Sequence, residues 1–258
     1  MSEIMVPRGI LNIVNTTYIP YGGVLYEVCN YNPGYFNGVT LTDKMRLVGS
    51  IHNLSLSVDK RIYALGDELN EVAQKLEKGD YFRTTMQKLA QISLKFDNSP
   101  ADMLKLREAI STVIEFSERL FKVVNECMDG RQTIVPAYFC STFLHCCAPQ
   151  AVFACNGRTY RSQRHLFAQN KFEIDGEVIS AHLQGELEDF YRTVCINFGE
   201  PVLKEKCPRD FELINVQHHA MRSYALCTFI EQFGTTDERK FAWPILADMI
   251  YGAIKEKK

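Results

Sequence analysis

The sequence predicts a mainly α protein: a multi-helix bundle with long heptad-like helices, a short β-containing N-terminal arm and one small β-hairpin. Two apolar stripes at helical spacing lead to this reading, together with an abrupt change of texture at Thr40.

The first stripe runs Ile51, Leu54, Val58, Ile62, Leu65, Leu69, Val72 and Leu76, at steps of three and four. A near-3.5 period marks helices that pack on a neighbour at a shallow angle. Ahead of it, Thr40-Leu41-Thr42-Asp43 has the form of a capping box, and behind it Gly79 suits the C′ position. A helix expected over residues 81–96 places Phe82, Met86 and Leu89 on one face. Ser99-Pro100-Ala101-Asp102 then opens the second stripe, with serine as N-cap, proline at N1 and an acid at N3. That stripe is Leu106, Ile110, Val113, Ser117, Leu120, Val124 and Cys127, closed by Gly130. Met103, Ile114 and Phe121 widen its apolar face, as suits a helix inside a bundle.

Beyond Pro136 an uncharged helix is expected over residues 137–147. Residues 171–180 alternate apolar and acidic about Asp175-Gly176, the pattern of a two-residue hairpin turn. Helices over 181–198, 210–233 and 236–257 complete the chain. Gly199 and Gly234 end the first two, and Pro244 is expected to kink the third.

The arm, residues 1–40, is different in kind. Val24-Leu25-Tyr26-Glu27-Val28 reads as a strand bounded by turn residues. Residues 9–40 carry Tyr18, Tyr21, Tyr26, Tyr31, Tyr35 and Phe36 but a single charge, Glu27. Rings of this kind are enriched at interfaces, so these six are the candidate subunit contacts. The remainder divides at Gly130 into a helical half, 41–130, and a Cys/His-rich half, 131–258. No linker marks the boundary, so the halves read equally well as one domain.

The chain has 258 residues, 46% hydrophobic, with a formal net charge of −2. That balance argues against a whole-surface nucleic-acid binder, which needs an excess of Lys and Arg. The N-terminus lacks the basic and apolar regions of an export signal, and no apolar run reaches the roughly 18 residues of a membrane span. A cytoplasmic or nuclear protein is expected. The nine cysteines form no Cys-x-x-Cys pair and are expected as reduced core thiols.

Three segments have the residue types for chemistry. Cys146, Cys147, Cys155 and His165 are zinc-competent ligands, though their spacing matches no common knuckle and buried thiols explain them as well. Cys155 precedes a turn with Arg158 three residues on, and a cation there would favour a thiolate. Arg158, Arg161, Arg164, His165 and Lys171 form a basic stretch with aromatic residues interleaved, a pattern that suits phosphate and bases. The acids from Glu173 to Asp189 follow at once and offer these cations partners within the fold. His218-His219 lie about 100° apart on a helix and cannot share a metal as an i, i+4 pair can. The reading that results is a non-catalytic structural or interaction protein, homo-oligomeric through its helices and arm, with no cofactor required. The alternative is a nucleoprotein-like helical protein that binds nucleic acid or phosphate through the basic stripe.

Overall fold

Helix α1 (Leu41–His52) begins at the capping box written into the sequence. The Asp43 amide donates to Thr40 Oγ1 at 3.1 Å, and the Thr40 amide donates back to Asp43 Oδ2 at 3.4 Å. Each side chain satisfies an amide that the first helical turn leaves without a partner.

The structure, a computed structural model, describes residues 28–29, 39–52, 54, 67–94, 100–127, 137–167, 173–174, 177–178, 181–203, 210–233 and 242–255. After α1 come α2 (Asp67–Lys78), α3 (Tyr81–Ala90), α4 (Pro100–Cys127), α5 (Ala137–Cys147) and α6 (Gly157–Phe167). Two short strands follow, β1 (Glu173–Ile174) and β2 (Glu177–Val178). Then come α7 (Ala181–Phe198), α8 (Asp210–Phe233), α9 (Trp243–Ala253) and β3 (Ile254–Lys255). The fold is mainly α. Among the described residues no helix is long and apolar enough to cross a membrane.

The second sequence stripe is a buried seam. Leu106, Ile110, Val113, Ser117, Leu120 and Val124 are all buried on α4, and α2 packs against it through buried Leu69, Val72 and Leu76. Ser117, the polar member, gives its hydroxyl proton to the Val113 carbonyl one turn back, at 2.9 Å. The first stripe is less continuous than expected. Ile51 is 43% exposed and so lies off the packed face, while Val58, Ile62 and Leu65 fall outside the described residues.

Helix α8 is the centre of the molecule. It packs on α4, α5, α6, α7 and α9, and its buried residues, among them Val216, His219, Tyr224, Cys227 and Ile230, point all round its axis. A helix enclosed on every side has no polar face and shows little amphipathic period. Leu94 ties the C-terminal part of the chain to the middle: its amide donates to the Gln150 carbonyl at 2.9 Å, and the Trp243 amide donates to its carbonyl at 3.0 Å. Buried side chains from Cys29 to Ile254, drawn from both halves of the chain, form one cluster.

Several expectations need correction. Pro244 does not kink the last helix. It sits in the first turn of α9, where its missing N–H costs nothing, and the chain leaves the helix for β3 instead of staying helical to residue 257. Helix α3 stops at Ala90, and residues 92–94 are not helical. The left-handed residue after α2 is Asp80 (φ 52°), not Gly79, whereas Gly199 (φ +76°) ends α7 as its place in the sequence implies. Val28, expected at the end of a strand, is helical with Cys29. Cys29 is buried in the bundle, and Lys44 Nζ donates to its carbonyl at 3.4 Å. The rest of the arm, with Tyr18, Tyr21, Tyr26, Tyr31, Tyr35 and Phe36, lies outside the described residues. So does the turn at 175–176. The strands stand in the order β2–β1–β3, both pairs antiparallel, with Glu173 opposite Val178 on one side and Lys255 on the other.

Candidate functional site

The basic stretch is helical. Asn156 caps α6: its Oδ1 accepts the amides of Arg158 and Thr159, both at 3.0 Å, while its own amide donates to Thr159 Oγ1 at 2.9 Å. What reads in sequence as a turn beside a thiol is a helix cap. The α6 register then turns Thr159, Ser162, Gln163 and Leu166 inward and leaves Arg158, Arg161 and Arg164 exposed. Arg158 pairs with Asp248 of α9 at 3.4 Å, an acid outside the 173–189 run. Arg161 Nε donates to the Gly157 carbonyl at 3.0 Å. His165 is half-buried, and Lys171 lies outside the described residues.

Inward from α6 runs a buried polar network. Gln163 Nε2 donates to the His219 carbonyl (2.9 Å), and it lies 3.2 Å from Ser223 Oγ and 2.8 Å from the Tyr251 hydroxyl. These groups come from α6, α8 and α9 and fix the three helices to one another. His219 is fully buried, and neither ring nitrogen has a hydrogen-bond partner. Burial pushes its pKa down to about 3. Arg222 and His145 act in the same direction, and the nearby Ala154 carbonyl opposes them without reaching hydrogen-bond geometry. His145 is likewise held below the usual histidine range by burial, against the pull of Asp248. His218-His219, adjacent on one helix, have different surroundings. The structure puts His219 in the core and His218 Nδ1 2.8 Å from the Tyr191 hydroxyl.

The zinc set is not assembled. Among the described residues no three His, Cys, Asp or Glu side chains form a group able to hold a metal. Cys146, Cys147 and Cys155 are each buried, and burial raises each thiol well above its ordinary range. The charge that acts on Cys155 is Glu212, which raises it further; no arginine lowers it. A thiol in this state is a poor nucleophile. In the native protein, among the described cysteines, Cys127 and Cys195, both half-buried, should therefore react first with a thiol reagent. Cys29, Cys140, Cys146, Cys147, Cys155 and Cys227 should react only as fast as the fold opens. Timed labelling read by peptide mass spectrometry measures this, and Cys155 labelled as fast as Cys195 would contradict it.

A second surface feature has no single-segment signature. Helices α4, α7 and α8 enclose a groove of about 600 Å³, with Met103, Phe190, Val194 and Tyr224 as apolar walls. Glu186, Asp189, Thr193, Asn197, Thr228 and Gln232 supply its polar lining. Two large apolar side chains are exposed on two of the helices that line it. Leu104, 69% exposed, follows Met103 on α4, and Ile196, 78% exposed, lies on the Asp189–Thr193 stripe of α7. Arg107, one turn beyond Leu104, holds this corner together by donating to the Phe198 and Glu200 carbonyls at 3.3 and 2.7 Å.

Fold and surface together describe a mainly helical protein with buried thiols, an arginine-bearing helix and a groove with apolar walls. No protein-family model matches the chain, and no curated protein or solved structure is significantly similar to it.

Proposed function

We propose that the protein is a non-catalytic, self-assembling helical protein in which part of the N-terminal arm of one copy occupies the α4–α7–α8 groove of the next. The observation that carries this reading is the groove itself, lined by helices that also expose Leu104 and Ile196. Large apolar side chains clustered at a surface mark interaction sites. The arm is chemically suited to it. Tyrosine rings match the walls at Met103, Phe190 and Val194, and phenolic hydroxyls are donors for the carboxylates Glu186 and Asp189. Cys29 packs in its own bundle, so the exchanged segment is the part before it, with Tyr18, Tyr21 and Tyr26.

Such a contact joins two different surfaces and builds a ring or an open chain. The test is mass by light scattering for the full chain, for a chain lacking residues 1–26, and for Leu104→Asp and Ile196→Asp. The full chain should exceed the 29.6 kDa of one copy, and each variant should fall toward that mass while keeping its helical circular dichroism. A full chain of monomer mass, or variants that assemble unchanged, would reject the reading.

A second reading is favoured by the exposed arginines of α6. Arg158, Arg161 and Arg164 lie at steps of three on one helix, close to Tyr160 and Phe167. Phosphate groups, including those of nucleic acid, are the anions that such forks bind best.

A further inference from the structure

Among the described residues, Arg107 and Arg119 each have the guanidinium over one aromatic ring, whereas Arg222 on α8 has its guanidinium over two. Its guanidinium carbon lies 4.8 Å from the centre of the Tyr191 ring and 5.8 Å from that of Phe167. Its Nε is buried without a hydrogen-bond partner, and among the described residues the side chain makes no hydrogen bond or ion pair. Arg107, by contrast, has two carbonyls, Arg158 has Asp248 and Arg192 has Asp189. Nε is the only nitrogen of the Arg222 fork sealed off in this way, so the outer nitrogens keep access to solvent.

A guanidinium has five N–H donors and is always charged. Two ring faces stabilise the cation but accept none of its protons in the plane of the fork. Among the described residues, this half-buried arginine is thus a fork held by rings with no hydrogen-bonded acceptor. Its seat is rigid: Phe167 belongs to α6, and Tyr191 is fixed on α7 by its hydroxyl contact with His218. Glu188 acts on Tyr191, and among the described residues it forms no ion pair with Arg222. Arg164 stands one turn before Phe167 on the same stripe of α6 and is exposed. The phenyl ring that Arg222 faces thus belongs to the same helix as Arg164.

We propose that Arg222 is the anchor of an anion site that takes a phosphate group, held bidentate by its fork, with Arg164 as the second cation. Two guanidinium groups match the double charge of a phosphate monoester better than that of a carboxylate. The site deepens the phosphate reading above by naming its anchor, and it is independent of the arm-in-groove contact.

Pyrophosphate is the probe, with acetate as the carboxylate control and a short single-stranded oligonucleotide as the phosphodiester arm. In a nitrogen–proton spectrum of the wild-type chain, the Arg222 Nε–Hε signal, assigned by its loss in Arg222→Lys, should move on adding pyrophosphate and not on adding acetate. Arg222→Gln should weaken pyrophosphate binding roughly tenfold or more, the loss expected for hydrogen bonds to a charged group. Arg192→Gln, on a paired surface arginine, should leave it unchanged. If Arg222→Gln weakens oligonucleotide binding in the same ratio, the site serves phosphodiesters; if it leaves that binding alone, the ligand is a small free phosphate. Arg158→Gln with Arg161→Gln should lower oligonucleotide binding alone, which separates failure of the stripe from failure of the anchor. An Arg222 signal that pyrophosphate does not move, or a folded Arg222→Gln chain that binds it as well as wild type, would overturn the proposal. The spectrum of the wild-type chain decides even where the variant does not fold.

Discussion

Phe143→Ala should destabilise the protein by about 3–5 kcal/mol, the range for truncating a buried phenylalanine. Phe143 on α5 is fully buried and meets three other rings, with centroids 5.8 Å away at Phe139, 5.9 Å at Phe82 and 6.1 Å at Phe116. Those rings come from α5, α3 and α4, so this one side chain closes the layer between them. Aromatic pairs add about 0.5–1.5 kcal/mol each beyond the area they bury, and the alanine loses three of them. Against a total stability of roughly 5–15 kcal/mol, the loss is a large fraction of the whole. Urea unfolding followed by circular dichroism measures it. Phe143→Leu, which refills most of the volume, should lose on the order of 1–2 kcal/mol. A cost below about 1 kcal/mol for the alanine would mean that the site collapses without a cavity, and that the ring cluster does not close this layer.

Mild acid should be the second large stress. His219 is neutral in the fold, with its pKa pushed down from about 6.5 to about 3. A base whose folded pKa is depressed leaves the unfolded chain to bind the proton first. Its contribution to stability is therefore intact above pH 6.5 and falls as the pH drops from there toward 3. At pH 5, one such histidine costs about 2 kcal/mol relative to neutral pH, at 1.36 kcal/mol per unit. His145 adds to the fall, since burial depresses it too. Glu212 opposes it weakly: burial raises its carboxyl, so the folded chain takes that proton first and gains stability as the pH falls. Urea midpoints from pH 7.5 down to pH 4.5 should drop, and the drop should be shallower in His219→Gln. A profile in His219→Gln as steep as that of the wild type would show that the ring is not buried neutral.

The parts of this molecule that were legible in sequence are those written in one segment. The Thr40–Asp43 box, the Pro100 start, the Leu106–Val124 seam and the Gly199 stop each act through neighbours within four residues or one face of one helix. The central role of α8 was not legible, because a helix buried on all sides gives a flat pattern. Pro244 was misread because a proline in a first turn and one in mid-helix differ only in where the helix begins. The arginine stripe could be found by its spacing, whereas Arg222 could not. A lone arginine in a helix gives no sign that rings from two other helices will flank it. The groove is illegible for the same reason, being assembled from α4, α7 and α8.

The position of α8 also bears on how the chain is made. Synthesis delivers α4 and α5 long before residues 210–233 exist, and Leu94 waits for Trp243 to supply a hydrogen bond from the far end of the chain. The apolar sides of α4 and α5 that meet α8 in the finished protein must stay unmatched on the ribosome until most of the chain has emerged. Long-range closure of this kind slows folding and exposes sticky intermediates. The nascent chain, more than the finished one, is thus the form in which these apolar faces meet water.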